Sequence, residues 1–256
     1  KDGKKTAKDI DKPDIEFENV TLELGGKKVL DNINLSIPYG KKVGIVGATG
    51  SGKSILLKSI VRINDVNDGQ IKMNGTNVKE YKTAELREKI SYVFQDAFLF
   101  SNTIDSNIAF ANPDVDESRV RECAKRAMAD DFINELSDGY QTIVGEKGFG
   151  LSGGQKQRVS IARAMLKDAP VFVFDDSTSA LDAETERKLL ENLRTYYKER
   201  TILIAAHKMS SVVDCDEIIY LSNGKIVERG TFDELMELDG HFAGVYKTQM
   251  AKQTVA

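Results

Sequence analysis

Hydrophobic positions along this chain follow two periods, and the changes of period mark out its elements. Over Ile15–Leu24 apolar and polar residues alternate (Ile15, Phe17, Val20, Leu22, Leu24), the pattern of a half-buried strand, with one slip between Phe17 and Val20. Gly25-Gly26 is a turn signal, and residues 29–37 read as the returning strand. Val43-Gly44-Ile45-Val46 is short and apolar on both faces, as a strand at the centre of a parallel sheet should be. It runs straight into a glycine-rich loop, after which residues 53–62 take up the helical period. Asp68-Gly69 and Asn74-Gly75 punctuate short strands around residues 71–73, and residues 90–94 form another apolar strand ending at Gln95.

From about residue 103 to 166 the pattern turns mostly helical, with Val120, Cys123, Ala124, Ala127 and Phe132 at helical spacing. Buried-type strands follow at 171–174 and 202–206. Residues 218–221 and 226–228 flank Ser222-Asn223-Gly224-Lys225, a strong hairpin signal. Strands alternating with helices predict an α/β core with a mostly parallel sheet, interrupted by the helical stretch as an inserted subdomain. The expected division is a core of residues 14–94 and 167–256 and a helical subdomain of residues 95–166. Residues 1–13 are polar and mixed in charge, without apolar periodicity, and read as a linker. They contain no apolar core of a signal peptide, and the absence of a starting Met suggests a segment of a longer polypeptide.

Composition narrows the classes. At 256 residues with 41% hydrophobic and 30% charged residues, the chain has the make-up of a globular protein. No apolar run approaches the roughly 18 residues that a membrane-spanning helix needs. A net charge of −4 gives no electrostatic case for a nucleic-acid partner. Cys123 and Cys215 have neither metal-ligand nor redox spacing and read as two reduced thiols.

The chemistry begins in the glycine-rich loop. Gly47-Ala48-Thr49-Gly50-Ser51-Gly52-Lys53-Ser54 is a full match to GxxxxGK[ST], and it has the strand–loop–helix setting that the motif requires. The glycines allow the backbone to approach phosphate closely, and the following helix turns its positive end to the same anion. Lys53 supplies charge to the β- and γ-phosphates of a nucleotide, and the Ser54 hydroxyl is placed to hold Mg²⁺. Later in the chain Val171-Phe172-Val173-Phe174-Asp175 puts a carboxylate at the carboxyl end of a buried strand, where ligands of open α/β sheets gather. Asp175 is therefore the expected partner of Ser54 in holding Mg²⁺. Between these two lies Leu151-Ser152-Gly153-Gly154-Gln155, followed by Lys156-Gln157-Arg158. Its glycine amides and helix start offer a second anion site.

In this order the motifs resemble the nucleotide-binding domain of an ABC transporter, and the likeness runs along nearly the whole chain from residue 14. The resemblance implies a P-loop NTPase (RecA-like) core, with an N-terminal antiparallel β-subdomain and an inserted α-helical subdomain. It implies ATP and Mg²⁺ as ligands, and a second such domain as partner. In the family, two domains sandwich two ATP molecules, each signature (here Ser152, Gly153, Gly154, Gln155) capping the nucleotide held by the other's loop. Gln95 matches the glutamine that reaches the metal and the attacking water. Ser179-Ala180-Leu181-Asp182 looks like the loop along the dimer interface, and His207 matches the histidine that contacts the γ-phosphate. Thr142-Ile143-Val144-Gly145-Glu146-Lys147-Gly148 and Leu99-Phe100-Ser101-Asn102-Thr103-Ile104 are similar to exporter segments. Through the first of these and the Gln95 loop the family meets the coupling helices of a membrane domain. The implied location is the cytoplasmic face of a membrane.

Two positions depart from the family pattern. The residue after Asp175 is usually Glu, the general base; here it is Asp176. One missing methylene retracts the carboxylate by roughly 1 Å, a misplacement that can cost on the order of 10²-fold. General-base catalysis contributes about 10²- to 10⁴-fold in all. Binding should survive while hydrolysis slows, as in the degenerate half of a heterodimeric exporter whose partner chain carries Glu. The open alternatives are a homodimer with Asp176 as a competent base, and a non-hydrolytic clamp gated by ATP. The second departure is Leu24, which stands where the family has an aromatic that stacks on adenine. Its loss should weaken adenine binding by about 1 kcal/mol, unless Tyr39 folds back to replace it. The same ATPase core in a ribosome-acting or DNA-repair protein usually comes as paired domains or with a long coiled-coil insertion, and neither is present.

Overall fold

A computed structural model describes residues 2–148 and 150–255, without the side chains of Lys147, Thr254 and Val255. In chain order the strands are β1 (Ile15–Leu24), β2 (Lys27–Ile37), β3 (Lys42–Val46), β4 (Asp68–Met73), β5 (Thr76–Asn77), β6 (Ile90–Val93), β7 (Val171–Asp175), β8 (Thr201–Ala206), β9 (Glu217–Ser222) and β10 (Lys225–Gly230). The α-helices are α1 (Lys53–Ile60), α2 (Thr83–Glu88), α3 (Ile104–Ile108), α4 (Glu117–Arg126), α5 (Asp130–Glu135), α6 (Gly153–Lys167), α7 (Ala183–Tyr196), α8 (Phe232–Leu238) and α9 (His241–Val255). The chain forms two compact units, Lys1–Ile90 with Arg200–Ala256, and Ser91–Glu199.

The first unit contains an antiparallel sheet in the order β2-β1-β4-β5 and the strand run β10-β9-β3-β8. β3 pairs in parallel with both β8 and β9 and so lies inside the sheet, and its residues 43–46 are buried, as its short apolar run predicts. The slip in the alternation of β1 has a physical counterpart. Asn19 sits at a left-handed φ of 48°, and the register to β2 shifts between Phe17 and Val20. The bulge lets Phe17 and Val20 point into the same core despite their odd spacing. Gly25-Gly26, Asn74-Gly75 and Asn223-Gly224 all have positive φ at both central positions, the twist that two-residue hairpins need. Asp68-Gly69 opens β4 rather than preceding it.

Residues 2–8, read from the sequence as linker, are docked on this unit. Lys5 forms a parallel bridge with Tyr81, and its amide donates to the Glu80 carbonyl at 2.8 Å. Ala7 is fully buried, and its amide and the Thr6 hydroxyl both donate to the Glu85 carboxylate, at 3.0 and 2.6 Å. Lys1, the first residue of that stretch, lies outside the described residues.

The second unit holds β6 and β7 as neighbours and helices α3–α7. Residues 167–199, assigned from the sequence to the ATP-binding core, group here with the helical segment. The reason is the packing of α7: Asn192 donates to the Arg126 carbonyl at 2.9 Å, and the Arg126 guanidinium lies 4.3 Å from the Tyr196 ring. Phe172 of β7 meets Tyr197 edge to face at 5.1 Å.

Candidate functional site

In the first unit the loop between β3 and α1 is built as a cradle. Gly47 and Gly52 have φ of 152° and 110°. A Cβ on Gly47 would lie 2.2 Å from the Leu221 carbonyl oxygen, and one on Gly52 2.7 Å from that of Val29, so only glycine fits at either position. The Gly224 amide donates to the Ser51 carbonyl at 2.9 Å, which ties the loop to the β9–β10 turn. The Lys53 ammonium folds back over the loop, donating to the carbonyls of Gly47 and Ala48 at 2.7 and 3.0 Å. The Ser51 hydroxyl is buried and has no hydrogen-bond partner among the described residues. α1 begins at Gly52 with no side-chain cap and no acid in its first turn. An orphaned hydroxyl, a folded-back cation and an uncapped helix start fit a polyphosphate. Ala48, Thr49 and Gly50 form the exposed rim of the cradle, and Ser54 is half-buried in the first turn of α1.

His207 follows β8, whose last residue Ala206 is in register with Val46, so the histidine and the loop leave the same edge of the sheet. Its carbonyl accepts from the Gln249 side chain of α9 at 2.8 Å, and the other end of that amide accepts from the Met209 amide at 2.9 Å. Leu24 pairs with Lys27 at the end of the β1–β2 hairpin and is 41% exposed. Tyr39 does not replace the missing aromatic. It lies between β2 and β3, at the end of β3 away from the phosphate loop, where its hydroxyl accepts from Arg200 at 3.4 Å.

In the second unit β7 delivers Asp175 and Asp176 to its carboxyl end, both buried. The Tyr92 hydroxyl on β6 donates to Asp175 Oδ2 at 2.9 Å. Burial, with the carboxylate beside it, pushes the phenol pKa well up, so it stays protonated and acts as donor. Asp176 has a left-handed φ of 50°, a conformation that Asp tolerates better than most residues. The Ser177 hydroxyl is buried and has no partner among the described residues. Gln95 is exposed, two residues past β6.

The signature opens α6. Ser152 is its N-cap: the hydroxyl accepts from the Gln155 amide at 3.2 Å and the Gln155 side chain accepts from the Ser152 amide at 3.0 Å. This is a closed capping box. Ser152 and Gly153 are exposed, and a Cβ on Gly154 would lie 2.9 Å from the Ala180 carbonyl oxygen. Gln157, one turn on and buried, accepts from the Ala180 amide at 3.0 Å and donates to the Ser179 hydroxyl at 3.2 Å. It thereby ties the signature helix to the loop before α7. Asp182 caps α7, accepting from the Thr185 amide at 2.9 Å, and the Thr185 amide and hydroxyl hold its carboxyl below the usual range.

The two exporter-like segments, chosen separately from the sequence, lie side by side. Thr103 bridges Ile143, and the Val144 amide donates to the Asn102 carbonyl at 3.0 Å. Beside them Phe98, Phe100 and Phe110 stand exposed, Phe100 stacked on Phe110 and meeting Phe98 edge to face. The Arg163 guanidinium sits 5.4 Å from the Phe100 ring, and burial draws its pKa down to about 10. Ile143 is 74% exposed. Phe149, inside the stretch assigned to the helical subdomain, lies outside the described residues.

Among the described residues no group of three or more His, Cys, Asp or Glu side chains could hold a metal, and no helix is long and apolar enough to cross a membrane. Ser54, Gln95 and Asp175 are oxygen donors only, a sparse set of the kind that suits Mg²⁺, which keeps several waters and takes phosphate oxygens as ligands. Tyr92 and Gln249 carried no motif in the sequence, and Gln157 stood out only in the run after the signature; each makes a contact with a residue distant along the chain.

The ATP-dependent lipid A-core flippases of Escherichia coli K12 and Shigella flexneri are 44% identical to this chain over 242 residues. The match covers 93% of this chain and 42% of each relative, so the chain spans less than half the length of those proteins. The structure of a bacterial Atm1-family ABC exporter with ATP bound superposes with a TM-score of 0.92 at 36% identity, over 96% of this chain and 43% of the other. Residues 30–179 match the family model for ABC transporters, a span that runs from the strand behind the phosphate loop through the signature to the loop before α7, and the chain belongs to the ABC transporter family.

Proposed function

We propose that this chain is the ATP-binding motor of an ABC exporter, acting at the cytoplasmic face of a membrane and coupled to membrane-spanning segments. The observation that carries the reading is the loop of residues 47–54. There the orphaned Ser51 hydroxyl, the Lys53 ammonium held on two carbonyls and the uncapped start of α1 converge. A triphosphate offers Lys53 acceptors far stronger than the carbonyls it uses now. Ser54, Gln95 and Asp175 are the residues that would hold Mg²⁺, which when bound neutralises charge on the terminal phosphates. Leu24 packs on the adenine face, and His207 contacts the γ-phosphate.

A second nucleotide-binding domain closes against this one. Ser152, Gly153, Gly154 and Gln155 present the start of α6 to the nucleotide held by that partner, and Asp182 lies in the segment along the interface. The aromatic patch of Phe98, Phe100 and Phe110 with the neighbouring 142–148 loop supports a contact with the coupling helices of a membrane domain. Exposed apolar clusters of this kind mark protein–protein surfaces. Nucleic acid is not a partner in this reading.

Asp176 is the weak base of the chain's own site. An intact signature beside a shortened base supports pairing with a different chain that carries Glu. The Asp that tolerates the left-handed backbone at this position supports a second reading, a homodimer in which Asp176 is competent. Steady-state ATP hydrolysis by this chain and its Asp176→Glu variant, with nucleotide binding measured in both, separates the two. A near-silent parent and an active variant support the degenerate site. Comparable turnover in both supports the homodimer. Absence of Mg-ATP binding in the parent would overturn the motor reading itself.

A further inference from the structure

We propose that Tyr92 is a positioning residue for the metal-facing carboxylate, its hydroxyl fixing through the 2.9 Å hydrogen bond to Oδ2 the orientation in which Asp175 meets Mg²⁺. The inference rests on the reading of Asp175 as a magnesium-holding group. An aspartate carboxylate turns easily about its last torsion, whose preferences are broad. Backbone alone therefore does not set the direction of its oxygens. Tyr92 supplies what the backbone lacks. Its ring packs against Phe94 with centroids 4.3 Å apart, and its hydroxyl reaches Asp175 from the neighbouring strand. The phenol donates, so one carboxylate oxygen is marked as an acceptor and the rotation is held.

Hydrogen-bond partners of ligating carboxylates orient them, and their loss typically costs 10- to 100-fold in metal affinity. A purely structural role predicts something else. The hydroxyl would then serve only to satisfy a buried acid, and its removal would lower stability without touching the metal.

The test uses the whole chain, its Tyr92→Phe and Asp175→Asn variants and the double variant. Nucleotide affinity is measured in excess Mg²⁺ and in EDTA, together with thermal unfolding. The gain in affinity on adding Mg²⁺ should fall about tenfold in Tyr92→Phe, the lower end of that range, while affinity in EDTA holds. In the Asp175→Asn background Tyr92→Phe should add nothing. An unchanged magnesium gain, or equal losses with and without Mg²⁺, overturns the proposal. So does a Tyr92→Phe chain that fails to fold while the double variant folds, since the hydroxyl then serves the buried charge alone. If Asp175→Asn keeps the full magnesium gain, the reading of Asp175 itself falls, an outcome distinct from failure at Tyr92.

Discussion

At the start of α1 the N-cap is Gly52, which brings no side chain to the first amides; at the start of α6 Ser152 and Gln155 close a capping box. Both helix starts are assigned to phosphate in the proposed function, yet one has no side-chain cap and the other closes its own. The difference follows from when each meets its ligand. In that reading α1 binds the nucleotide of its own chain, and the buried Ser51 hydroxyl, without a partner among the described residues, costs stability until an anion arrives. In the same reading α6 serves a nucleotide held by another domain and has to remain folded while that domain is absent. Its Ser152 hydroxyl accepts from the Gln155 amide, and an accepting hydroxyl keeps its own proton to donate. Self-capping is therefore compatible with lending the same residue to a partner.

The comparison breaks most easily at Lys53. Lys53→Ala should weaken ATP binding by about 10²-fold, since hydrogen bonds to charged groups contribute about 1.5–3 kcal/mol each; isothermal titration of the single chain reads it. Next comes Asp176→Glu, expected to raise turnover by up to about 10²-fold. The left-handed φ at this position opposes the longer side chain with a strain of about 1 kcal/mol, against about 2.7 kcal/mol for the rate. The variant should therefore hydrolyse faster and melt about 2–4 °C lower, and scanning calorimetry beside the ATPase assay shows whether the two effects travel together. Ser152→Ala should weaken nucleotide-driven pairing about tenfold for one lost hydrogen bond, and cost about 1 kcal/mol of stability for the lost cap. Sedimentation with and without ATP separates the terms.

The smallest effect lies away from both helix starts. Hydrogen bonds from the Thr6 hydroxyl and the Ala7 amide, with Lys82 nearby, hold the Glu85 carboxyl below its usual range. A depressed carboxyl stabilises above its unfolded pKa, about 4.3 for Glu, and loses that contribution as pH falls through the lower folded value. Docking of residues 2–8 should therefore persist at neutral pH and loosen only in acid below the ordinary glutamate range. Exchange of the Ala7 amide should follow that profile, and Glu85→Gln should flatten it.

Much of this arrangement was legible beforehand, because local rules wrote it. The one-residue slip in β1 marked the place of the bulge at Asn19, and Gly25-Gly26 and Asn223-Gly224 announced two of the hairpins. The loop at 47–54 carried its strand and helix with it. What stayed hidden lies in contacts that sequence spacing does not encode. Tyr92 reaches Asp175 across 83 positions, and Gln249 reaches His207 across 42. Residues 2–8 looked like linker because their docking uses backbone amides, polar side chains such as Thr6 and one buried Ala7, which leave no periodic trace. The grouping of β7 and α7 with the helical segment depends on Arg126 and Asn192, polar residues that pattern reading places on the surface. Tyr39 could be placed only once the order of β2, β3 and the loop was known in space.

Gln249 has one more implication. A single side-chain amide in the last helix grips the main chain on both sides of Lys208, pulling on one carbonyl and receiving one amide. The tail of the chain is thus wired to the loop that carries His207. Where the chain is trimmed becomes a biochemical variable: a version ending before residue 249 keeps every motif, yet loses both of these bonds to the histidine loop. Activities compared between versions of different length would then differ for a reason that lies in none of their recognised motifs.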